Sequence, residues 1–332
     1  MGRLIWRDRR PVIIRVVGLG PGDARYLTDH TRQILNSAER VFLRTNRHPS
    51  AAEFSHLPSF DHVYETGSSF SDVYESIVDH LVEAARDGEV VYAAGRDGEV
   101  LAISQANGKT LWRARTRSEL TGGPGAGFGI VAVGSANGEL IALDQATGST
   151  MWTVSVGGEV LSAPAIASDA VIVRTVAGVL LGLSREDGKT LWREEQQIPR
   201  LTLRGAATPA VSGNTAICGF DNGRAIAIDV RNGELLWEAL VAPARGRTEL
   251  ERMVDIDSAV KVSGADVFVT GFQGRVAMLA LDNGQSWWSR EMSSHRGLDI
   301  DDDRVYVSTS EGDVAGLRRR TGVEEWRQDG LR

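Results

Sequence analysis

The chain has 332 residues, enough for one large domain or two ordinary ones. Apolar residues make up 42%, which can supply a packed core, and 37 glycines indicate a turn-rich protein. The formal net charge of −7 argues against a general nucleic-acid binder. Cys218 is the one cysteine, so an internal disulfide is excluded, and its apolar surroundings favour a buried structural thiol.

The first residues do not have the features of a signal peptide. Met1 to Pro11 holds five charges and lacks an apolar centre, and no cysteine near residue 20 could accept a lipid. The most apolar later run, Val160 to Leu183, is interrupted by Asp169 and Arg174, so no membrane span is predicted. For the chain as written, we therefore expect a cytoplasmic location.

Residues 11–87 begin with the order strand, loop, helix, strand. Val12 to Val17 predicts a buried strand, which ends in the loop GLGPGD. Thr28 to Ala38 then predicts a helix, and Arg40 to Leu43 a second strand. Apolar pairs from Ser71 to Ala85 recur at the spacing of an amphipathic helix.

The loop contains Gly18, Gly20 and Gly22, which can let a ligand approach the backbone. A tight structural turn explains these glycines about as well. With AERVFLRTNRHP at residues 38–49, however, VVGLGPGD resembles the tetrapyrrole methylase family, in the form found at the front of some MazG-type proteins. The resemblance implies that the three glycines help to form a cleft for S-adenosylmethionine and substrate.

This resemblance covers roughly residues 11–93 and then stops. The family would continue from GEVVYA into the second half of its domain, but here the chain runs into AGRDGEVLAI. We therefore expect an inactive remnant that binds no S-adenosylmethionine. The shared string GEVVYAAG suggests a chimera joined near residues 88–95, with residues 11–87 and 88–332 as its two parts. A natural two-domain architecture is the alternative, but no Pro/Ser-rich linker marks the boundary.

A sequence motif, here called the phrase, recurs six times in the rest of the chain. Its clearest copy is NGELIALDQATGSTMW at Asn137 to Trp152. Two glycines lie ten positions apart in every copy, and a tryptophan follows four positions later. The glycine pairs are Gly98 and Gly108, Gly138 and Gly148, Gly178 and Gly188, Gly223 and Gly233, Gly274 and Gly284, and Gly312 and Gly322. The tryptophans are Trp112, Trp152, Trp192, Trp237, Trp288 and Trp326, spaced 38 to 51 residues apart. This period is typical of propeller blades.

Each copy predicts several strands. Alternating residues follow the first glycine, a turn surrounds the second, and a returning strand carries the tryptophan. Another strand precedes each first glycine, as at Ile130 to Gly134, and Ala163 to Ala167 indicates a fourth, inner one. Four strands per copy make a blade. The regular tryptophans are expected to be structural, stacking between neighbouring repeats.

Residues 96–332 resemble quinoprotein-type propellers and, within them, the BamB family. Two segments between the repeats carry this resemblance, LTLRGAATPAV at residues 201–211 and ELERMVDIDSAV at residues 249–260. The resemblance implies a surface that meets an outer-membrane barrel partner, BamA. It makes partner contacts of Leu201, Leu203 and Arg204 and polar neighbours of Asp255 and Asp257. The residues alone also allow a core position for the leucines and an internal ion pair for the arginine.

The family has eight blades, a secretion signal and a lipidated cysteine, and it is periplasmic and anchored to the outer membrane. This chain has six copies of the phrase. We therefore expect a mainly β fold, a propeller of six repeats truncated from eight and open, preceded by an incomplete α/β segment. The exposed blade edges would then allow self-association.

Three functions follow in order of preference. A non-enzymatic scaffold for protein assembly comes first, an S-adenosylmethionine-dependent methylase second, and a quinone-dependent dehydrogenase third. One cysteine cannot supply the adjacent pair that many quinone enzymes use. The acidic run Asp299 to Asp303 could suggest calcium, but aspartates are common in a turn before a strand. We predict no catalytic residue, no metal and no cofactor.

Overall fold

A computed structural model describes residues 41–45, 47–54, 57–66, 90–199, 201–202, 207–244, 247–251, 253–256 and 258–329, with Thr31, Leu35, Val73 and Ile77. The predicted first strand and the glycines Gly18, Gly20 and Gly22 lie outside these residues. The chain divides into two compact units, the first running to Val91 with residues 102–111 added. The second holds Tyr92 to Leu101 and everything from Trp112 onward.

The first unit contains a 3-10 helix, Pro49–Phe54, and a short helix α1, Asp61–Thr66. Val73 and Ile77 are helical and buried against Phe60 and Val63, as expected for one face of the predicted amphipathic helix. Sequence analysis did not anticipate the 3-10 helix or α1.

The second strand predicted in this unit is wrong in its described part. Leu43 forms only an isolated parallel bridge to Ser59, with its N–H donating to the Pro58 carbonyl at 2.8 Å. Pro58 has no N–H to donate, and the chain enters α1 at Asp61, so the pairing cannot extend into a ladder.

The repeats form sheets whose strands follow one another in chain order. The first sheet has three strands, and the other five have four, paired antiparallel. The strands of the first two sheets are β1 (Val90–Ala94), β2 (Glu99–Ser104) and β3 (Thr110–Arg115), then β4 (Gly125–Gly127), β5 (Ile130–Gly134), β6 (Glu139–Asp144) and β7 (Thr150–Ser155).

The remaining sheets repeat this four-stranded order. The third has β8 (Ala165–Ile166), β9 (Ala170–Arg174), β10 (Val179–Ser184) and β11 (Thr190–Glu195), and the fourth has β12 (Ala210–Ser212), β13 (Thr215–Gly219), β14 (Arg224–Asp229) and β15 (Leu235–Leu240). The fifth has β16 (Lys261–Ser263), β17 (Asp266–Thr270), β18 (Arg275–Ala280) and β19 (Ser286–Glu291), and the sixth has β20 (Leu298–Ile300), β21 (Arg304–Ser308), β22 (Val314–Arg318) and β23 (Glu324–Gln328).

These sheets confirm the blade interpretation of the repeat. The predicted strand Ile130 to Gly134 is β5, and the inner strand expected within Ala163 to Ala167 is β8. Apolar side chains of adjacent sheets form shared cores; one joins Leu140 of the second sheet to Val173 and Leu181 of the third. Burying a leucine or valine in such a core contributes about 1.5–3 kcal/mol.

A bulge sets the direction of each tryptophan in the four-stranded sheets. In the second sheet Trp152 lies opposite Ala142 but Thr150 lies opposite Leu143, so Met151 is the extra residue. The same shift recurs in the other four, with Leu191, Leu236, Trp287 and Glu325 as the extra residues. An unpaired extra residue bends the strand locally. Consequently the residue before the tryptophan faces solvent, and in the second to fifth sheets the indole turns inward.

Each inner tryptophan docks onto the turn of the next repeat. The indole N–H donates to the backbone carbonyl of the residue three positions before that repeat's second glycine. The Nε1–O distances are 2.6 to 2.9 Å. The donor and acceptor pairs are Trp112 to Gln145, Trp152 to Arg185, Trp192 to Val230, Trp237 to Leu281, and Trp288 to Arg319.

The indole ring packs against the glycine itself. A Cβ placed on Gly148 would lie 2.5 Å from the Trp112 ring, and the backbone φ there is 72°. Both the close approach and the left-handed backbone require glycine. Four of the docked tryptophans are only 6 to 8% exposed, whereas Trp326 is 40% exposed and departs from the stacking prediction.

Candidate partner-binding site

The segment that follows β11 presents apolar side chains to solvent. Ile198 is 38% and Leu201 41% exposed, on residues without regular secondary structure. The side chain of Asn222, in the next repeat, donates to the Gln197 carbonyl at 3.2 Å. The segment is therefore attached to the neighbouring blade just before the exposed residues. Leu203 and Arg204 lie outside the described residues.

The second predicted segment begins with a fixed turn. The Glu251 carboxylate accepts the backbone N–H groups of Arg247 and Thr248, and the Thr248 hydroxyl accepts the Glu251 N–H. These reciprocal bonds form a capping box. They also hold the pKa of Glu251 below its ordinary value. Leu250, on this turn, is 62% exposed.

The chain then enters the protein interior, where Asp255 is buried. Its backbone forms an isolated antiparallel bridge with Phe272, which lies between β17 and β18, through N–O distances of 3.4 and 2.7 Å. Ile256 donates its N–H to the Phe220 carbonyl of the fourth repeat at 3.3 Å. This stretch therefore joins two blades. The Asp255 side chain lies beneath any surface that a partner could touch, and Asp257 lies outside the described residues.

A buried ion pair that the sequence analysis missed joins the third and fourth repeats. Arg174, at the end of β9, contacts Asp221, in the turn after β13, and both side chains are almost fully buried. The guanidinium also lies 5.0 Å from the Phe220 ring centre, a cation–π contact. The sequence did contain a signal for this pair, because Arg174 is a charged residue within the otherwise apolar run from Val160 to Leu183. The sequence analysis used that charge only to exclude a membrane span.

The lone thiol lies beside this pair. Cys218 is buried in β13, as predicted. Burial raises the pKa of its thiol to about 12, with the nearby Arg174 guanidinium acting in the opposite direction. Because the thiolate is the reactive form, Cys218 is an inert structural residue at neutral pH.

The acidic run after β20 forms a turn. The Asp301 carboxylate accepts the N–H groups of Asp303 and Arg304 and the Tyr306 hydroxyl. These contacts, led by the Tyr306 hydrogen bond, lower the pKa of Asp301. Across the described residues, no group of three or more His, Cys, Asp or Glu side chains is placed to hold a metal.

Residues 96–328 match the family model of "Outer membrane protein assembly factor BamB". This match extends over all six repeated sheets except for part of the first. The chain belongs to the BamB family. A second family model, that of the tetrapyrrole (corrin/porphyrin) methylases, matches residues 14–100. The chain thus joins sequences of two families, which supports the chimera hypothesis.

Curated BamB proteins are similar over most of this chain. That of Pseudomonas aeruginosa is 51% identical over 265 residues, covering 80% of this chain and 68% of its own length. That of Alkalilimnicola ehrlichii is 51% identical over 251 residues, covering 76% and 65%. The chain therefore spans about two thirds of these relatives.

A solved BamB structure has the same architecture. The crystal structure of BamB from Moraxella catarrhalis superposes with a TM-score of 0.69 at 30% identity, covering 74% of this chain and 77% of that one. In the part of this chain that the structure describes, no helix is long and apolar enough to cross a bilayer.

Proposed function

We propose that this chain is a non-enzymatic scaffold that binds a protein component of the outer-membrane assembly machinery. The observation that carries the proposal is the 51% identity to a relative named as an outer membrane protein assembly factor. By the same relationship the partner is the barrel subunit, BamA or its counterpart. The proposed binding takes place at the periplasmic face of the outer membrane.

The exposed segment after β11 suits this role. Apolar side chains held at the surface by an ordered neighbour are the usual centre of a protein interface. Ile198 and Leu201 are such side chains, and the hydrogen bond from Asn222 to Gln197 reduces the freedom that binding would otherwise have to remove. Leu203 and Arg204 follow directly in sequence and extend the proposed contact.

Asp255 has a supporting part in this proposal. Its burial and its backbone pairing with Phe272 suit a residue that fixes the junction beneath the surface. Asp257, two residues further on, is proposed as a polar neighbour of Arg204. No catalytic or cofactor-binding role is proposed for the repeats.

A binding measurement with matched variants tests the proposal. The probe is the soluble periplasmic portion of the barrel subunit, titrated against the full chain. Arg204→Ala and Leu201→Ala should each weaken binding by about 10-fold or more, as interface anchors do. Their melting temperatures should remain nearly unchanged, because Leu201 is 41% exposed and Arg204 is proposed to lie on the same surface.

Leu191→Ala is the control, since Leu191 is similarly exposed on β11 but lies outside the proposed surface. It should bind as the unaltered chain does. Unchanged binding for both test variants would contradict the proposed surface. A large loss of stability in Arg204→Ala would instead favour an internal ion pair.

A further inference from the structure

Leu250 has the most exposed large apolar side chain among the residues that the structure describes, at 62%. It lies on the turn closed by Thr248 and Glu251, whose reciprocal hydrogen bonds fix the backbone around it. Its own carbonyl accepts the N–H of Met253, a buried residue, at 3.3 Å. An ordered backbone thus holds a leucine in solvent, which lowers the conformational entropy that binding would have to remove.

Gln273 attaches this turn to the fifth repeat. Its side-chain nitrogen, assigned by the two carbonyls that it faces, donates to Glu251 at 3.2 Å and to Met253 at 3.1 Å. The backbone N–H of Gln273 donates to the Ser293 hydroxyl at 2.9 Å. One side chain therefore fastens the chain at two carbonyls directly after Leu250.

The backbone of Gln273 is strained, unlike that of its counterparts. In the corresponding turn of the other five sheets the positive φ belongs to a glycine, with values from 75° to 90°. In the fifth sheet Gln273 takes it, with a φ of 47°, and Gly274 does not. Strained residues persist where their surroundings hold them, and they cluster at sites that bind or position other groups. The contacts to the Leu250 turn hold Gln273 here, which indicates a positioning role.

Leu250 and the proposed contact residue Leu201 are attached to corresponding turns of adjacent sheets. The turn between β13 and β14 holds the segment of Leu201, because its Asn222 donates to the Gln197 carbonyl at 3.2 Å. The turn between β17 and β18 holds Leu250 through Gln273. The fourth and fifth sheets share a core, and the stretch after Leu250 hydrogen-bonds to both turns. The two leucines therefore lie on one face of these sheets.

We propose that Leu250 is a second apolar anchor for the partner that covers Leu201, and that Gln273 positions it. This inference rests on the proposed function, because its occupant is the barrel subunit named there. The partner is the same one because both leucines lie on the same face and are held by adjacent turns. Two exposed apolar side chains, each supported by ordered backbone, suit the centre of one protein interface.

Binding of the full chain to the soluble periplasmic portion of the barrel subunit tests the role of Leu250. Leu250→Ala should raise the dissociation constant about 10-fold, with a melting temperature nearly unchanged because the side chain is mostly in solvent. Leu235→Ala is the matched control. Leu235 is 45% exposed at the start of β15, at the opposite end of the fourth sheet from the Asn222 turn. The control should bind as the unaltered chain does.

Gln273→Gly tests the positioning role, because glycine accepts the positive φ and removes the side-chain bonds to the turn. This variant should weaken binding at least about 3-fold. Leu250→Ala should then have a smaller effect in the Gln273→Gly background than in the unaltered chain. Such coupling is expected of a residue that acts through Leu250 and not of one that supports the fold elsewhere.

The outcomes separate this inference from the proposed function. If Leu201→Ala weakens binding and Leu250→Ala does not, the second anchor is overturned while the proposed function stands. If the unaltered chain does not bind the barrel subunit at all, both are overturned. Equal losses for Leu250→Ala and Leu235→Ala would overturn the anchor as well. Purely additive effects of Leu250→Ala and Gln273→Gly would overturn the positioning role.

Discussion

Trp288 and Trp326 occupy the same position in the same repeated phrase, yet their surroundings differ. Trp288 donates its N–H to the Arg319 carbonyl at 2.8 Å and is 7% exposed, while Trp326 is 40% exposed. Each follows the same kind of bulge in its own sheet. Trp288 lies opposite Met278, and Trp326 lies opposite Gly316. The comparison shows that the phrase encodes half of an interface, and the next repeat supplies the rest.

The largest effect we expect distinguishes a docked tryptophan from the terminal one. Trp192→Ala should destabilise the protein by about 3–5 kcal/mol, because it opens a cavity between the third and fourth sheets. Trp326→Ala should cost less than about 1 kcal/mol in the monomer, since much of the ring is already in solvent. Midpoints of chemical denaturation at low protein concentration measure the difference.

Trp287→Ala serves as the matched control for the register. Trp287 is the extra residue of its bulge and is 58% exposed, so its removal should resemble that of Trp326. Equal midpoints for the Trp192 and Trp287 variants would contradict the assigned register.

The second prediction compares a buried ion pair with an exposed one. Asp221→Ala should cost about 3–5 kcal/mol, because it leaves the Arg174 guanidinium charged and buried. Glu325→Ala removes the partner of Arg304 and Arg318, in pairs that are partly in solvent, and should lower the melting temperature far less than Asp221→Ala does.

Thermal melting of both variants tests this contrast. The double variant Arg174→Met with Asp221→Leu should recover most of the stability lost in Asp221→Ala, since an apolar pair removes the uncompensated charge. Similar melting temperatures for Asp221→Ala and Glu325→Ala would contradict the structural role of the buried pair.

The smallest expected effect concerns the methylase-like part of the chain. Isothermal titration calorimetry should detect no S-adenosylmethionine binding, because the match to that family ends at residue 100, after the repeats have begun. Saturable micromolar binding that a bulky substitution of Gly20 abolishes would contradict this prediction and restore the methylase alternative.

Much of the repeat architecture could be predicted because its signals are local. The spacing between Gly138, Gly148 and Trp152 reflects a turn, a strand and its return, and each depends on neighbouring residues. The strands β5 and β8 accordingly lie where alternation and spacing put them. The candidate surface was predictable only through resemblance, because Leu201 has no pattern that separates an exposed leucine from a core one.

By itself, the sequence determined the number of repeats, the strand order within each, the absence of an internal disulfide and the family. These properties follow from short-range spacing and from similarity along the chain. Only the tertiary structure decided that Arg174 pairs with Asp221, that Asp255 is buried between two blades, and that Trp326 is exposed. Those outcomes depend on which residues from distant parts of the chain come into contact and exclude water. The residue spacing within one repeat does not predict such long-range contacts.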